Sequence, residues 1–458
     1  MTASVSTQLV KPTDGQGWNP VRAAVAAELM DCVLPPSLQR RDQRAKGEQY
    51  VRGLLTVEGR KSMRSIATLI GGSAAEQSMH HFISASTWDW KPVREALAHY
   101  LHRTAAPRAW VVQPLAIPKL GDRSVGVESP TGGAAAGPVA GQYAHGVWFA
   151  SEELSVPVNW RLFLSNRWTE DPARRRRAGI PAEVISETRE ECAAASVLEA
   201  MRTWQVPVRP VVFDVAGAGF RRLITGFDAA SVPLLARTGA LTVLEVAEPS
   251  LPGYGAGPLA VRHILESVKG LRRPVEWTDH RTGRRRTSLV VAVPVTLPED
   301  GHRGTGRLAS PAASRDRRPL LVVGEWQDPK LPPAHIWLTG MTRVPVHELL
   351  HLTKLGGRVA HDAGTVGGRV GLRDFEGRSF DGWHRHMTLA SVAHAVTVLS
   401  RGARAMASVH AAPPRRFSGV RPGRRPVRSR CGGSGAAAAP AGPQGAAWSP
   451  AIHRRGVR

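Results

Sequence analysis

The feature that most constrains this chain is a change of hydrophobic rhythm near residue 107. Before it, apolar residues recur at helical spacing. The segment QRAKGEQYVRGLL puts Tyr50, Leu54 and Leu55 on one face. SMRSIATLIGG and SAAEQSMHHFI read as two short helices about a Gly-Gly break, the outline of a helix-turn-helix. A third helix, WDWKPVREALAHYLHR, carries Trp88, Val93, Leu97 and Leu101 as its apolar stripe. A shorter helical stretch precedes them at 21–33.

Beyond 107 the runs shorten. AWVVQPLAI, QYAHGVWFA and VNWRLFL read as three successive strands. A helix over 182–204, a strand in PVVFDVAG, a helix in FRRLITGFDAA and a strand in GALTVLEVA follow. Three strands and then strict alternation predict a mixed α/β sheet with helices packed on it. Residues 249–318 interrupt the pattern. They are rich in Gly, Pro and Arg, include RTGRRR and GHRGTGR, and hold one clear strand, SLVVAVPV. The sheet resumes with PLLVVGEW and HIWLTG, and helices at 346–355 and 387–401 close it. From about 411 the chain is Ala/Gly/Pro/Arg-rich without an acidic residue, which predicts a disordered basic tail. The expected order is an N-terminal segment (1–38), a helical DNA-binding domain (39–105), an α/β domain (106–410) with an insertion at about 249–318, and the tail (411–458).

A hydrophobic content of 42% allows a core of ordinary size, and no run of 18 apolar residues offers a membrane span. The first residues lack a basic start followed by an apolar block, so no signal peptide is expected. Three cysteines, Cys32, Cys192 and Cys431, are too far apart for a zinc spacing and suit a reducing cytoplasm. The formal charge of +24 points to a polyanionic partner, of which nucleic acid is the commonest.

Three stretches carry a resemblance. They are AWVVQPLAIPKLGDRSVGV (109–127), NWRLFLSNRWTEDPARRRRAGIP (159–181) with VVFDVAG (211–217) behind it, and GLRDFEGRSFDGWHRHMTLASVAHA (371–395). Together with RGLLTVEGRKSMRSIATLIGG they resemble bacterial insertion-sequence transposases of the DDE class, of the IS seven-hundred-one type, over about residues 40–400. The resemblance implies an RNase H-like mixed sheet in which three acids hold two Mg2+ or Mn2+ ions for in-line phosphoryl transfer. It also implies binding to double-stranded DNA at element ends, a cytoplasmic, nucleoid-associated location and room for a homodimer.

Carried over residue by residue, the resemblance is incomplete. Asp214 ends an apolar strand where the family has its second aspartate, and is the one metal ligand retained. The first aspartate position holds Gln113, ahead of the expected Pro118-Lys119. Counting back from Gly371-Leu372 puts the family's glutamate on Ala360, its lysine on Gly367 and its Arg-Trp pair on Gly356-Gly357. Asp362 replaces the glutamate only if the register slips by two. Glu376 is expected to pair with Arg373 or Arg378. His384 and His386, taken as strand neighbours two apart, share a face and could join Asp381 at a metal, although contact with DNA or packing fits them better. Phosphate contacts are expected from Arg60, Lys61, Arg64, His80, His81, Lys119, Arg174, Arg175, Arg176, Arg177, Arg378, His384 and His386. With two of three acids replaced, the sequence leaves activity open between an impaired transposase and a DNA-binding remnant that does not cut. It offers no GxSxG elbow and no GxxxxGK[ST] loop for another chemistry.

Overall fold

The computed structural model describes residues 18–105, 107–129, 139–214, 220–298 and 318–411. The tail expected from 411 therefore lies almost wholly outside the described residues. Five helices come first: α1 (Pro20–Val33), α2 (Arg41–Thr56), α3 (Met63–Thr68), α4 (Ser73–Ser84) and α5 (Lys91–Thr104). The strands β1 (Ala109–Pro118), β2 (Val127–Glu128), β3 (Gly141–Ala150) and β4 (Ser155–Leu162) follow, then α6 (Asn166–Thr169), α7 (Pro172–Ala178) and α8 (Arg189–Thr203). Next come β5 (Val211–Phe213), α9 (Phe220–Ala229), β6 (Leu234–Arg237), β7 (Val243–Val246), β8 (Leu259–Ala260) and α10 (Val261–Ser267). The described chain closes with β9 (Arg273–Asp279), β10 (Arg284–Thr296), β11 (Leu320–Trp326), β12 (His335–Thr339), α11 (Val346–Arg369) and α12 (Phe380–Ala411).

The strands form one mixed sheet in the order β2-β3-β1-β5-β6-β12-β11-β10-β7-β8, with β4 beside β3 and β9 beside β10. Its centre, β1-β5-β6, is parallel. A parallel strand is buried on both faces and needs a near-continuous apolar run, which WVV and VVF supply. One continuous core joins the first helices to the sheet and to α11 and α12. Residues through His410 form one compact unit.

Several expectations change. The helix expected at 182–204 starts at Arg189, because Thr188 and Glu191 build a capping box there. Strand β6 was not expected, and neither was β9, whose sequence RPVEWTD is largely exposed. The helix expected at 346–355 runs on to Arg369. Its glycine pairs weaken it locally, but Leu355, Val359, Ala363 and Val366 keep an apolar stripe against the core. His384 and His386 lie on the helix α12, not on a strand.

The N-terminal helices pack tightly. A Cβ built on Gly53 of α2 lies 2.5 Å from Cγ2 of Ile66 on α3. Gly53→Leu is therefore expected to cost about 1–3 kcal/mol by overpacking. A urea midpoint equal to that of the unaltered chain would count against this packing.

Candidate active site

The register of the parallel strands builds the site. Trp110, Val111 and Val112 of β1 pair with Val211, Val212 and Phe213 of β5, and Phe213 pairs with Ala236 of β6. One residue further along, Gln113, Asp214 and Arg237 stand level across three neighbouring strands. Gln113 and Asp214 are thus side by side, although β1 runs on to Pro118 instead of ending at Gln113 as expected. What lies next to Asp214 is a cation from the protein itself. Arg237 Nη1 donates to Asp214 Oδ1 at 3.0 Å, and Arg237 Nη2 lies 3.4 Å from His335 Nδ1 of β12.

Helix α11 passes over this row. A Cβ placed on Gly356 would sit 4.0 Å from Asp214 Oδ2, so the helix position facing the acid has no side chain. Ala360 is one turn further on the same side of α11, and is exposed. Asp362, the candidate if the register slipped, points elsewhere. It accepts from Ser155 Oγ at 2.7 Å and pairs with Arg358 at 3.6 Å.

A second pair, buried where the first is part-exposed, flanks it, and sequence reasoning missed it. Glu325 of β11 is 1% exposed and faces His335 in the strand register. It accepts from Ser288 Oγ at 2.7 Å and pairs with Lys354 of α11, while its Oε2 is buried without a hydrogen-bond partner. Lys354 Nζ also lies 4.1 Å from the ring centroid of Trp277. Burial lowers the pKa of His335, and the positive charges of Arg237 and Lys354 push the same way against Glu325 and Asp214. Burial likewise lowers that of Lys354, opposed by Glu325. A lone glutamate inside the apolar run PLLVVGEW was the available signal, since a buried carboxylate demands a partner.

The remaining site candidates scatter. Lys61, expected to be exposed, is 6% exposed: its backbone N–H donates to Asp374 and its ammonium to Val57 O. Lys119 donates to Phe375 O, and Glu376 pairs with Arg60 at 3.1 Å rather than with Arg373 or Arg378. The DFEG segment thereby clasps α2–α3 and β1 together. His384 is 5% exposed, stacked on Trp90 and bonded to Arg94. His386 is 1% exposed, held between Tyr50 Oη and Gly371 O. Both are core groups out of reach of a phosphate, and Asp381 pairs instead with Arg385 at 3.2 Å. On α7, Arg174 pairs with Asp171 and Asp122, and Arg175 donates to backbone carbonyls. Arg176 and Arg177 face solvent, as do Arg64, His80, His81 and Arg378.

A family model described as DDE superfamily endonuclease matches residues 33–290. The chain belongs to the DDE superfamily of endonucleases. No curated protein sequence matches it. DDE superfamily endonucleases act on DNA and generally use divalent metals such as Mg2+. The match includes Gln113, Asp214 and Arg237 and ends before α11. No described helix is long and apolar enough to cross a membrane.

The side chains present do not fit a pair of Mg2+ ions. Such a centre needs several hard, anionic oxygens to offset two dications in close proximity. Among the described residues this one offers Asp214, already joined to a guanidinium, a neutral amide at Gln113 and no side chain at Gly356. No described cluster of three His, Cys, Asp or Glu stands elsewhere to replace it.

Proposed function

We propose that this DDE-family chain is a transposase-like protein of the IS seven-hundred-one type that binds the duplex ends of an insertion sequence and does not cut them. The observation that carries the reading is the ion pair between Asp214 and Arg237, in the row where the resemblance to such transposases puts two of the metal ligands. A guanidinium neutralises the carboxylate without presenting open coordination positions for water or a 3′-hydroxyl. The non-cleaving reading is favoured over an impaired but active enzyme by this pair together with Gln113 and Gly356. The basic surface supports DNA as the partner, and both the cytoplasm with the nucleoid and a homodimer fit that role.

The deciding measurement is strand cleavage of end-containing duplex with Mg2+ or Mn2+, next to a binding assay on the same DNA. The expected result is binding without cleavage, and a melting temperature that does not move when Mg2+ is added. Cleavage by the native chain that Asp214→Ala abolishes would overturn the reading. A duplex affinity indifferent to salt would count against a phosphate-dominated interface.

A further inference from the structure

Strands β9 and β10 form a ribbon that outruns the sheet. The last pair between β10 and β11 is Leu289 with Trp326, whereas the pairing with β9 continues to Arg284 with Asp279. From Ser288 to Arg284, β10 has β9 as its partner, a stretch of roughly 17 Å at the usual rise per residue. The tip turns through Gly283 at φ +67°, with the Gly283 N–H bonded to Asp279 O at 2.7 Å.

The ribbon and its root, RRPVEWTDHRTGRRR, hold six arginines against two acids. Arg284, Arg285 and Arg286 are exposed. Consecutive strand residues point to opposite faces, so Arg285 points one way and Arg284 and Arg286 the other. Arg286 is 3.2 Å from Asp279 and Arg285 3.8 Å from Glu276, surface pairs that exchange readily for phosphate.

We infer that the β9–β10 ribbon is a duplex-DNA contact that enters a groove with its tip. The major groove is wide enough to admit a two-stranded ribbon. There the exposed Arg284, Arg285 and Arg286 meet phosphates from the side away from α11, on which β9 rests through His351 Nε2, 3.0 Å from Glu276 O, and Arg358 Nη1, 3.4 Å from His280 Nδ1. The root is tied to the candidate active site. Trp277 of β9 lies under Lys354, which pairs with Glu325; Glu325 faces His335, and His335 lies beside the guanidinium on Asp214. The root of the ribbon is thereby linked through side chains to Asp214. The inference rests on the DNA-binding reading above.

The test uses the full chain and R284Q/R285Q/R286Q, with duplex affinity measured from 50 to 200 mM salt. Loss of three phosphate contacts lowers the slope of log K against log salt by about 2.7. The unaltered chain then weakens about 40-fold more than the variant across that range. R284K/R285K/R286K, which keeps the three charges, keeps the original slope. Circular dichroism and the melting temperature stay unchanged, because these side chains are exposed. Equal slopes for the unaltered chain and the glutamine variant overturn the ribbon assignment and leave the DNA-binding reading standing. Failure of the unaltered chain to bind any duplex overturns both. Competition by polyglutamate as strong as by duplex at equal charge overturns the groove assignment.

Discussion

Taking the chain from pH 7 to pH 5 is expected to remove about 6 kcal/mol of stability, most of what a domain of ordinary stability holds. Three core histidines carry that figure, and a fourth, His384, held well below the usual value by burial and then by Arg94, adds to it. Burial is the main force on each, lowering His145 to about 4, His386 to about 4 and His394 to about 3 from the usual 6.5. His145 is pushed further by Arg189. At His386 Lys119 pushes the same way, against the Gly371 carbonyl and Asp374. At His394 Arg401 does so, against the carbonyl of Asp362. A folded-state value below the unfolded one means the unfolded chain binds more protons between the two. The stabilisation is therefore complete above pH 6.5 and is lost as pH falls through that window. By pH 5 each histidine has given up about 2 kcal/mol. Urea midpoints at pH 7, 6 and 5 measure it. His394→Leu should make the slope shallower, and a midpoint unchanged between pH 7 and 5 would show that these histidines titrate normally.

Arg94→Ala is expected to cost about 3–5 kcal/mol. Arg94 is 3% exposed and is the bolt between α5, β4 and α12. It donates to Thr388 Oγ1 at 2.7 Å, Asn159 Oδ1 at 2.9 Å, Trp160 O at 2.8 Å and His384 O at 3.1 Å. Alanine leaves those acceptors dry and adds a cavity. Arg94→Lys should recover only part, since an ammonium cannot reproduce a planar fork of donors. Thermal or urea unfolding of the three chains decides it. A loss under 1 kcal/mol for the alanine variant would mean that the surroundings close over the gap.

Strands with a continuous apolar run were legible in the sequence. β1, β3, β5, β10, β11 and β12 fall where Trp110–Val112, Val147–Phe149, Val211–Phe213, Leu289–Val293, Leu320–Val323 and Ile336–Leu338 announce them. Strand β6 was not, because four residues carry too little periodicity. Nor was β9, whose partner β10 supplies the hydrogen bonds its polar sequence does not advertise. The glycines at 356, 357, 364, 367 and 368 made α11 look broken; packing of its apolar stripe outweighs a cost of about 1 kcal/mol for each. The juxtaposition of Gln113 with Asp214 was legible, but β1 does not end at Gln113 as expected: antiparallel pairing with β3 carries it on to Pro118. Arg237 did not follow, since an arginine after a short strand reads as surface until the register sets it beside an acid. His384 and His386 misled for the opposite reason. Histidines flanked by Arg385 look solvated, yet Trp90, Tyr50 and Gly371 enclose them.

On the non-cleaving reading proposed above, the guanidinium against Asp214 makes the building of a metal site here depend on the order of the steps. Gln113→Asp made first adds a second carboxylate beside Asp214 while Arg237 still holds that acid, so the pair is not free for a dication. Arg237 has to go before any restored acid can serve a metal. Yet losing it first leaves Asp214 without its counter-charge. On that same non-cleaving reading, no single substitution at this row restores a metal site.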